Sequence, residues 1–461
     1  MKATDQRLFG TDGIRGRYGE GWLTDGAVSA LGRAIGTVLS RKAKRSVDRT
    51  GGKALVGYDG RRSGPALEAA IARGLAATGY RVTSVGLITT PGLAVLGRLC
   101  GFDLSVMISA SHNPAEDNGI KVFSASADKL PDETEEEIEA ELRRHDAPVA
   151  GGPAPGLDPT LEDQYLQHLL AAVDGLKLDG LSIALDCANG GGSRIAPRTL
   201  GRLGAHVLSI AGDPDGDNIN QDCGSTHPAG LQEAVRLHGA DLGIALDGDG
   251  DRCMLVDEHG ALVNGDGILT LIARDRAQRG RMADPRIVAT VMSNRGLHRA
   301  LRECGVQVVT VGVGDRRVVE ALRREKLGLG GEQSGHIVFG AENHYIGDGV
   351  YTALRVLQVL RERGTKLSEL AAAYRPLPQV LLNVPVERKP NLEEFPSIMD
   401  EVRRTERELG EDGRVLLRYS GTEPLARVMV EGPDESRIRA SAQEIANRIA
   451  REIGSGTPAG R

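Results

Sequence analysis

Three times along the chain, short apolar runs of β-branched character alternate with amphipathic helical patterns. This alternation constrains the fold more than any other feature, because strands joined through helices lie parallel and cross over right-handedly. In the first pass, residues 54–58, 81–85 and 103–108 read as strands, and 65–78 and 91–99 as helices. The second pass places strands at 181–185, 205–210 and 241–246, with helices from Ser193 and at 229–237. In the third, strands 286–291 and 306–311 alternate with helices 295–303 and 315–325. Element order, rather than residue identity, makes this a divergent triplication of one α/β unit. The last segment differs: 380–386, 392–409, 414–418, 427–430 and 435–453 spell β-α-β-β-α, an α+β module with an antiparallel hairpin.

At 461 residues the chain is too long for one core. We expect an α/β protein with three similar βαβ-type domains of mixed sheet and a C-terminal α+β domain around a central cleft. The expected segments are 1–155, 156–258, 259–375 and 376–461, the last serving as a lid. A net charge of −6 argues against nucleic acid or a membrane surface as partner. No apolar run reaches the length of a membrane span, and the first residues lack the apolar core of a signal peptide. Cys100, Cys187, Cys223, Cys253 and Cys304 form no Cys-x-x-Cys pair, which suits a reducing cytoplasm rather than a disulfide or zinc framework. Abundant glycine and scarce aromatics suit a small polar ligand.

Chemistry concentrates in loops that follow strands. Ser109-Ala110-Ser111-His112-Asn113-Pro114 follows the 103–108 strand and sets Ser111 at the mouth of a sheet, where ligands of open α/β sheets gather. Asp247-Gly248-Asp249-Gly250-Asp251-Arg252 presents carboxylates at alternate positions, a donor set for one hard cation such as Mg²⁺. A calcium loop is excluded, since Arg252 stands where that loop needs glycine and the flanks read as strands. Gly331-Glu332-Gln333-Ser334-Gly335-His336 brings together groups suited to sugar hydroxyls. Arg418-Tyr419-Ser420-Gly421-Thr422-Glu423-Pro424, with Arg427, makes an anion cradle suited to phosphate.

With all four loops present in this order, the chain resembles the α-D-phosphohexomutase superfamily from residue 9 to about residue 430. The forms Phe9-Gly10-Thr11-Asp12-Gly13-Ile14-Arg15-Gly16, Cys223-Gly224-Ser225-Thr226-His227-Pro228 and Gly331 through His336 are similar to its glucosamine branch. The resemblance implies that Ser111 carries the transferable phosphoryl group and must be phosphorylated for activity. It implies one Mg²⁺ held by Ser111, Asp247, Asp249 and Asp251. Lys121 and Arg15 would neutralise charge and assist proton transfer, with His112 and Arg252 flanking the phosphoserine. Glu332 and Ser334 would hold sugar hydroxyls, and His336 would lie close to the reacting end. Arg418, Ser420, Thr422 and Arg427 would clamp the phosphate that is not reacting. The chain departs from the family pattern where Asp59-Gly60-Arg61 replaces Asp-Thr-Arg, and where Asn343-His344-Tyr345-Ile346-Gly347-Asp348 replaces a Thr-rich approach. The implied reaction moves phosphate between O6 and O1 of a hexosamine phosphate through a bisphosphorylated sugar, in a cytoplasmic monomer or homodimer. The alternatives are a phosphoglucomutase or phosphomannomutase of the same mechanism, and a non-catalytic sugar-phosphate binder.

Overall fold

The apolar run before Ser111 folds as the strand Leu104–Ile108, buried at every position. The computed structural model describes residues 7–10, 12–43, 52–152, 154–420 and 424–454. Leu104–Ile108 is an inner strand of a six-stranded sheet ordered Ile14–Arg17, Asp117–Ser124, Leu104–Ile108, Lys53–Tyr58, Arg81–Leu87, Gly156–Leu157. The strands of the expected βαβαβ unit are parallel. Asp117–Ser124 and Ile14–Arg17 add an antiparallel flank beyond the strands expected from the sequence. The turn-forming Asp117-Asn118-Gly119 and the glycines around Ile14 mask the short alternating patterns that follow and surround them.

The same plan recurs twice. Leu242–Leu246 runs parallel to Ser182–Asp186, which runs parallel to His206–Ile210; Cys253–Asp257 returns antiparallel to Leu242–Leu246. Arg286–Thr290 runs parallel to Gly330–Gly331, and Ile337–Val338 returns antiparallel to the latter. In each sheet, then, a strand with a parallel neighbour is followed by a loop and an antiparallel return. Those three loops carry Ser111, the Asp247–Asp249–Asp251 triad and Glu332 to His336.

Met1–Met292 together with Val309–Ala372 form one compact unit, and Ser293–Val308 with Ala373–Arg461 form another. In the second, Leu425–Glu431 lies between Gln379–Pro385 and Arg414–Tyr419, with all pairing antiparallel. Val384, Val428 and Val430 pack with Ile398, Ile445 and Ile449 of the helices Pro396–Leu409 and Glu435–Ile453. The helix expected over 392–409 is broken into a 3₁₀ turn, Leu392–Glu394, and a helix opened by Pro396. Proline has no N–H to carry a helix through that point and suits its first turn. Among the described residues, no helix is long and apolar enough to cross a membrane.

The core of the first sheet depends on a close helix crossing. Helices Asp25–Lys42 and Gly64–Ala76 meet through Gly32 and Gly74. A Cβ on Gly74 would lie 2.6 Å from the Arg33 backbone nitrogen and closer still to the Ser29 carbonyl oxygen. Overpacking costs about 1–3 kcal/mol, against a helix-propensity gain of about 1 kcal/mol for alanine. Gly74→Ala is therefore expected to lower stability by up to about 2 kcal/mol in urea unfolding; a raised midpoint contradicts this crossing.

Candidate active site

Ser111 has a φ of +54°, in the left-handed region that side-chain-bearing residues seldom occupy. Several bonds hold it there. The Ser111 N–H donates to Ser109 Oγ at 2.9 Å, and Asn220 Nδ2 donates to the Ser111 and Asn113 carbonyls, each at 2.9 Å. The wholly buried Arg61 guanidinium donates to the carbonyls of Ser111 (3.2 Å), Asn113 (2.9 Å), Asp117 (2.6 Å) and Pro114. Its Nε meets Asp59 Oδ2 at 3.0 Å, and that oxygen also accepts from Ser109 Oγ at 2.6 Å. One buried side chain thus closes the whole turn from Ser111 to Asp117.

The acidic loop meets this turn directly. A Cβ on Gly248 would lie 2.6 Å from both the Ser111 carbonyl oxygen and the Asn220 amide nitrogen, so only glycine lets the two loops touch. Ser111 Oγ donates to Asp247 Oδ2 at 2.8 Å. Asp247, Asp249 and Asp251 each offer an oxygen within 4.8 Å of the others. Asp249 Oδ2 accepts from Thr90 Oγ1 at 2.6 Å and from Lys121 Nζ at 2.9 Å. Asp249 Oδ1 and Asp251 Oδ1 are buried with no hydrogen-bond partner among the described residues. Burial, and then repulsion from Asp251 and Asp249, push the Asp247 carboxyl well above its ordinary range. Buried carboxylate oxygens left unpaired are costly. An all-oxygen set converging on one point fits a hard divalent cation, with Ser111 Oγ as neighbour.

Two positive groups, Lys121 and Arg15, lie on the antiparallel flank. Lys121, on the Asp117–Ser124 strand, sits 2.9 Å from both Asp249 and Asp12. Burial would discharge it, but Asp12, Asp249 and Asp251 outweigh burial and raise its pKa. Arg15, on Ile14–Arg17, donates to Asp12 Oδ2 at 2.7 Å. His112 Nδ1 lies 3.3 Å from Ser111 Oγ. Burial, and after it Arg252, lower the His112 pKa to about 4, so its imidazole is neutral near pH 7 and able to accept a proton. Arg252 Nε stands 3.9 Å from both the Asp247 and Asp251 carboxylates.

The Glu332 to His336 loop is a tight return: Glu332 N–H donates to the His336 carbonyl at 3.0 Å, and Gly335 N–H to the Glu332 carbonyl at 3.0 Å. Glu332 Oε1 accepts from the Gly314 N–H at 3.2 Å. The buried His336 ring lies against Gly347, where any side chain would collide with it; glycine in the 343–348 segment therefore makes room for the histidine. Asp348 is structural: it caps the helix Gly349–Arg363 and accepts from Tyr165 Oη at 2.7 Å. Arg15, Ser111, His112, Arg252, Glu332, Ser334 and His336 all line one cavity of about 740 Å³. In the second unit, Arg418 and Arg427 are cross-strand partners, and Arg427 Nη2 lies 3.4 Å from Ser420 Oγ. Lys389 Nζ donates to the Ser420 carbonyl at 2.6 Å. Thr422 lies outside the described residues.

Sequence reasoning assigned no role to Arg61, Asn220, Asp12, Thr90 or Lys389. Asp12 and Arg61 lay within quoted motifs, and only their long-range partners reveal what they do. Arg61→Met leaves the buried Asp59 without its cation, and breaking such a pair costs about 3–5 kcal/mol. The variant is expected to unfold at correspondingly lower urea, with Asp59→Asn/Arg61→Met recovering part of the loss. A wild-type midpoint for the single variant contradicts the clamp.

Models of the phosphoglucomutase/phosphomannomutase family match all four segments: α/β/α domains I, II and III at residues 6–148, 163–260 and 264–377, and the C-terminal domain at 381–448. The chain belongs to the phosphoglucomutase/phosphomannomutase family, whose members are sugar-phosphate mutases. Within it, the chain is 48% identical over 450 residues to the phosphoglucosamine mutase of Rhodococcus opacus, covering 96% of this chain and 99% of that one. A phosphoglucomutase/phosphomannomutase family protein from Burkholderia thailandensis superposes with a TM-score of 0.79 at 26% identity, covering 97% and 98% of the two chains. The fold also matches N-acetylphosphoglucosamine mutase of Aspergillus fumigatus, solved in complex with GlcNAc-6P and magnesium: TM-score 0.63, 20% identity, 96% and 95% covered.

Proposed function

We propose that the protein interconverts glucosamine 6-phosphate and glucosamine 1-phosphate, with Ser111 as the phosphoryl carrier. The observation that carries this reading is the Ser111 hydroxyl, held in a left-handed turn and bonded at 2.8 Å to Asp247 of the acidic triad. The near-full-length similarity to a phosphoglucosamine mutase supports the choice of sugar. Phosphoserine 111 passes its phosphoryl group to the free hydroxyl of the sugar phosphate. The bisphosphorylated sugar turns over and returns its other phosphate to Ser111. Such transfers need alignment and charge neutralisation above all.

Asp247, Asp249, Asp251 and an oxygen of phosphorylated Ser111 would hold Mg²⁺, which when bound neutralises charge on the transferring phosphoryl group. Lys121 and Arg15 supply positive charge beside Ser111, and the neutral His112 imidazole takes up or releases a proton there. Arg252 balances the carboxylates of the triad. Glu332 and Ser334 hold sugar hydroxyls, with His336 at the reacting end. Arg418, Ser420, Thr422 and Arg427 bind the phosphate that is not reacting, and Lys389 adds a further positive charge to that group. We further propose that the enzyme works in the cytoplasm, where its free thiols stay reduced, as a monomer or homodimer.

The deciding experiment compares kcat/KM for glucosamine 6-phosphate with that for glucose 6-phosphate and mannose 6-phosphate. Glu332 and Gln333 offer acceptors to a 2-amino group, and one such contact is worth roughly 1–3 kcal/mol, or about 10- to 100-fold. A ratio below one assigns the protein to another sugar. Intact mass after incubation with a sugar bisphosphate should show one added phosphate on the wild type and none on Ser111→Ala; equal uptake refutes Ser111 as carrier. EDTA should abolish turnover and Mg²⁺ restore it, while Asp249→Asn should require more Mg²⁺ for half-maximal rate. Full activity in metal-free buffer excludes the metal assignment.

A further inference from the structure

Behind Lys121 lies a chain of alternating charge that the proposed mechanism does not use. Lys121 bonds Asp12 Oδ2 at 2.9 Å; Asp12 Oδ1 accepts from Lys129 Nζ at 2.6 Å; Lys129 reaches Asp315 Oδ2 at 2.5 Å. With Asp249 at its head, the order is Asp249, Lys121, Asp12, Lys129, Asp315. Asp12 is the junction, since its Oδ2 also accepts from Arg15 at 2.7 Å. Lys121 and Arg15 therefore share one carboxylate oxygen, while Lys121 also bonds Asp249. The Asp12 carboxylate sits in a glycine-rich turn and takes Lys129 on its other oxygen.

Lys129 is placed by the fold. The Asp117–Ser124 strand turns back at once, with Ala127 at φ +68°, Ser124 N–H bonded to the Asp128 carbonyl at 2.8 Å, and a bridge between Phe123 and Lys129. Asp315, its second partner, opens the helix Asp315–Glu325. Two cavities share this wall. Asp12, Asp315 and His336 line both the 740 Å³ cavity that holds Ser111 and a second one of about 580 Å³. Lys129 lines only the second. Like Lys121, it is absent from the walls of the Ser111 cavity and meets that cavity through its partners Asp12 and Asp315, which line both.

We infer that Lys129 is a positioning residue, which, anchored by Asp315, fixes Asp12 so that Asp12 holds Lys121 and Arg15 in register with Ser111. The inference rests on the functional reading above. Removing Lys129 frees Oδ1 of Asp12, and the carboxylate can then turn so that Lys121 and Arg15 no longer share Oδ2. A displacement on the scale of an ångström at a reacting group costs up to about 100-fold in rate.

The test uses the full-length enzyme, phosphorylated on Ser111 and supplied with Mg²⁺, in single-turnover transfer to glucosamine, glucose and mannose 6-phosphates. Lys129→Met is expected to slow transfer by about 10- to 100-fold with the half-saturating sugar concentration within about twofold of wild type. Lys129→Arg, which keeps the charge and a donor for Asp12, should recover most of the rate. Asp315→Asn, which keeps size and an acceptor, should fold normally and slow transfer several-fold in the same pattern. A crystal structure of Lys129→Met should show Asp12 turned off Lys121. If Lys129→Met transfers at the wild-type rate, or loses only thermal stability, or changes only the half-saturating concentration, the positioning role is overturned. A wild-type rate in Asp315→Asn overturns the anchor. If the wild type itself transfers to none of the three sugars, the functional reading falls and takes this one with it; normal wild-type transfer with an unaffected Lys129→Met removes this inference alone.

Discussion

The site depends first on one guanidinium. Arg61, with no exposed side-chain surface, donates to four carbonyl oxygens of the turn that carries Ser111 and pairs with Asp59 beneath it. Backbone carbonyls bent inward by a left-handed residue point away from water and need donors. Asparagine or lysine could satisfy one or two of them; a planar fork with five N–H groups can satisfy the set from one place. Asn220, from the second repeat, donates to two of the same carbonyls, Ser111 and Asn113. The left-handed turn at Ser111 is therefore over-determined by groups from two sheets, as strained functional residues generally must be.

The triplication explains why the reactive loops converge. Each mixed sheet carries its loop at the same topological place, between a strand with a parallel neighbour and its antiparallel return. Loops at the carboxyl ends of such strands lie outside the sheet, where no flanking helix covers them. A hydroxyl, a carboxylate triad and the Glu332–His336 loop thus occupy equivalent topological positions. The cost is electrostatic. Three carboxylates within one buried loop repel each other; the fold answers with Lys121 and Arg252, and leaves Asp249 Oδ1 and Asp251 Oδ1 without a partner among the described residues. That residual imbalance is what a divalent cation removes.

Much of this was legible in the residues, and the parts that were not share a cause. The parallel strands, the β-α-β-β-α order of the last segment and the positions of Ser111, the acidic triad and Glu332 follow from local periodicity and loop composition. The antiparallel flank did not, because Asn118 and Gly119 look like turn residues until Leu104–Ile108 is there to pair with Asp117–Ser124. Its consequence is large, since Lys121 owes its aim to that pairing. Arg61 and Asp12 stood in recognised motifs, yet their roles lie in partners 50 to 56 and 109 to 117 residues away. Spacing along a chain does not encode a hydrogen bond made across a sheet or between two of them.

Sharing of charge also bears on how the site can be tuned. Asp12 serves Lys121, Lys129 and Arg15 with two oxygens. Burial works against its ionisation, but those three cations prevail and hold its carboxyl well below the usual range. A carboxylate so surrounded is charged near pH 7, which suits it to anchor the cations rather than to carry a proton. His112 sits at the other extreme, neutral near pH 7 and within 3.3 Å of Ser111 Oγ. Asp12 and His112 thus stand in opposite environments within one site, the carboxyl held charged and the imidazole neutral. Groups whose surroundings push their protonation apart in this way can divide acid–base work from charge placement, and here the division follows from burial and from the charges each group faces.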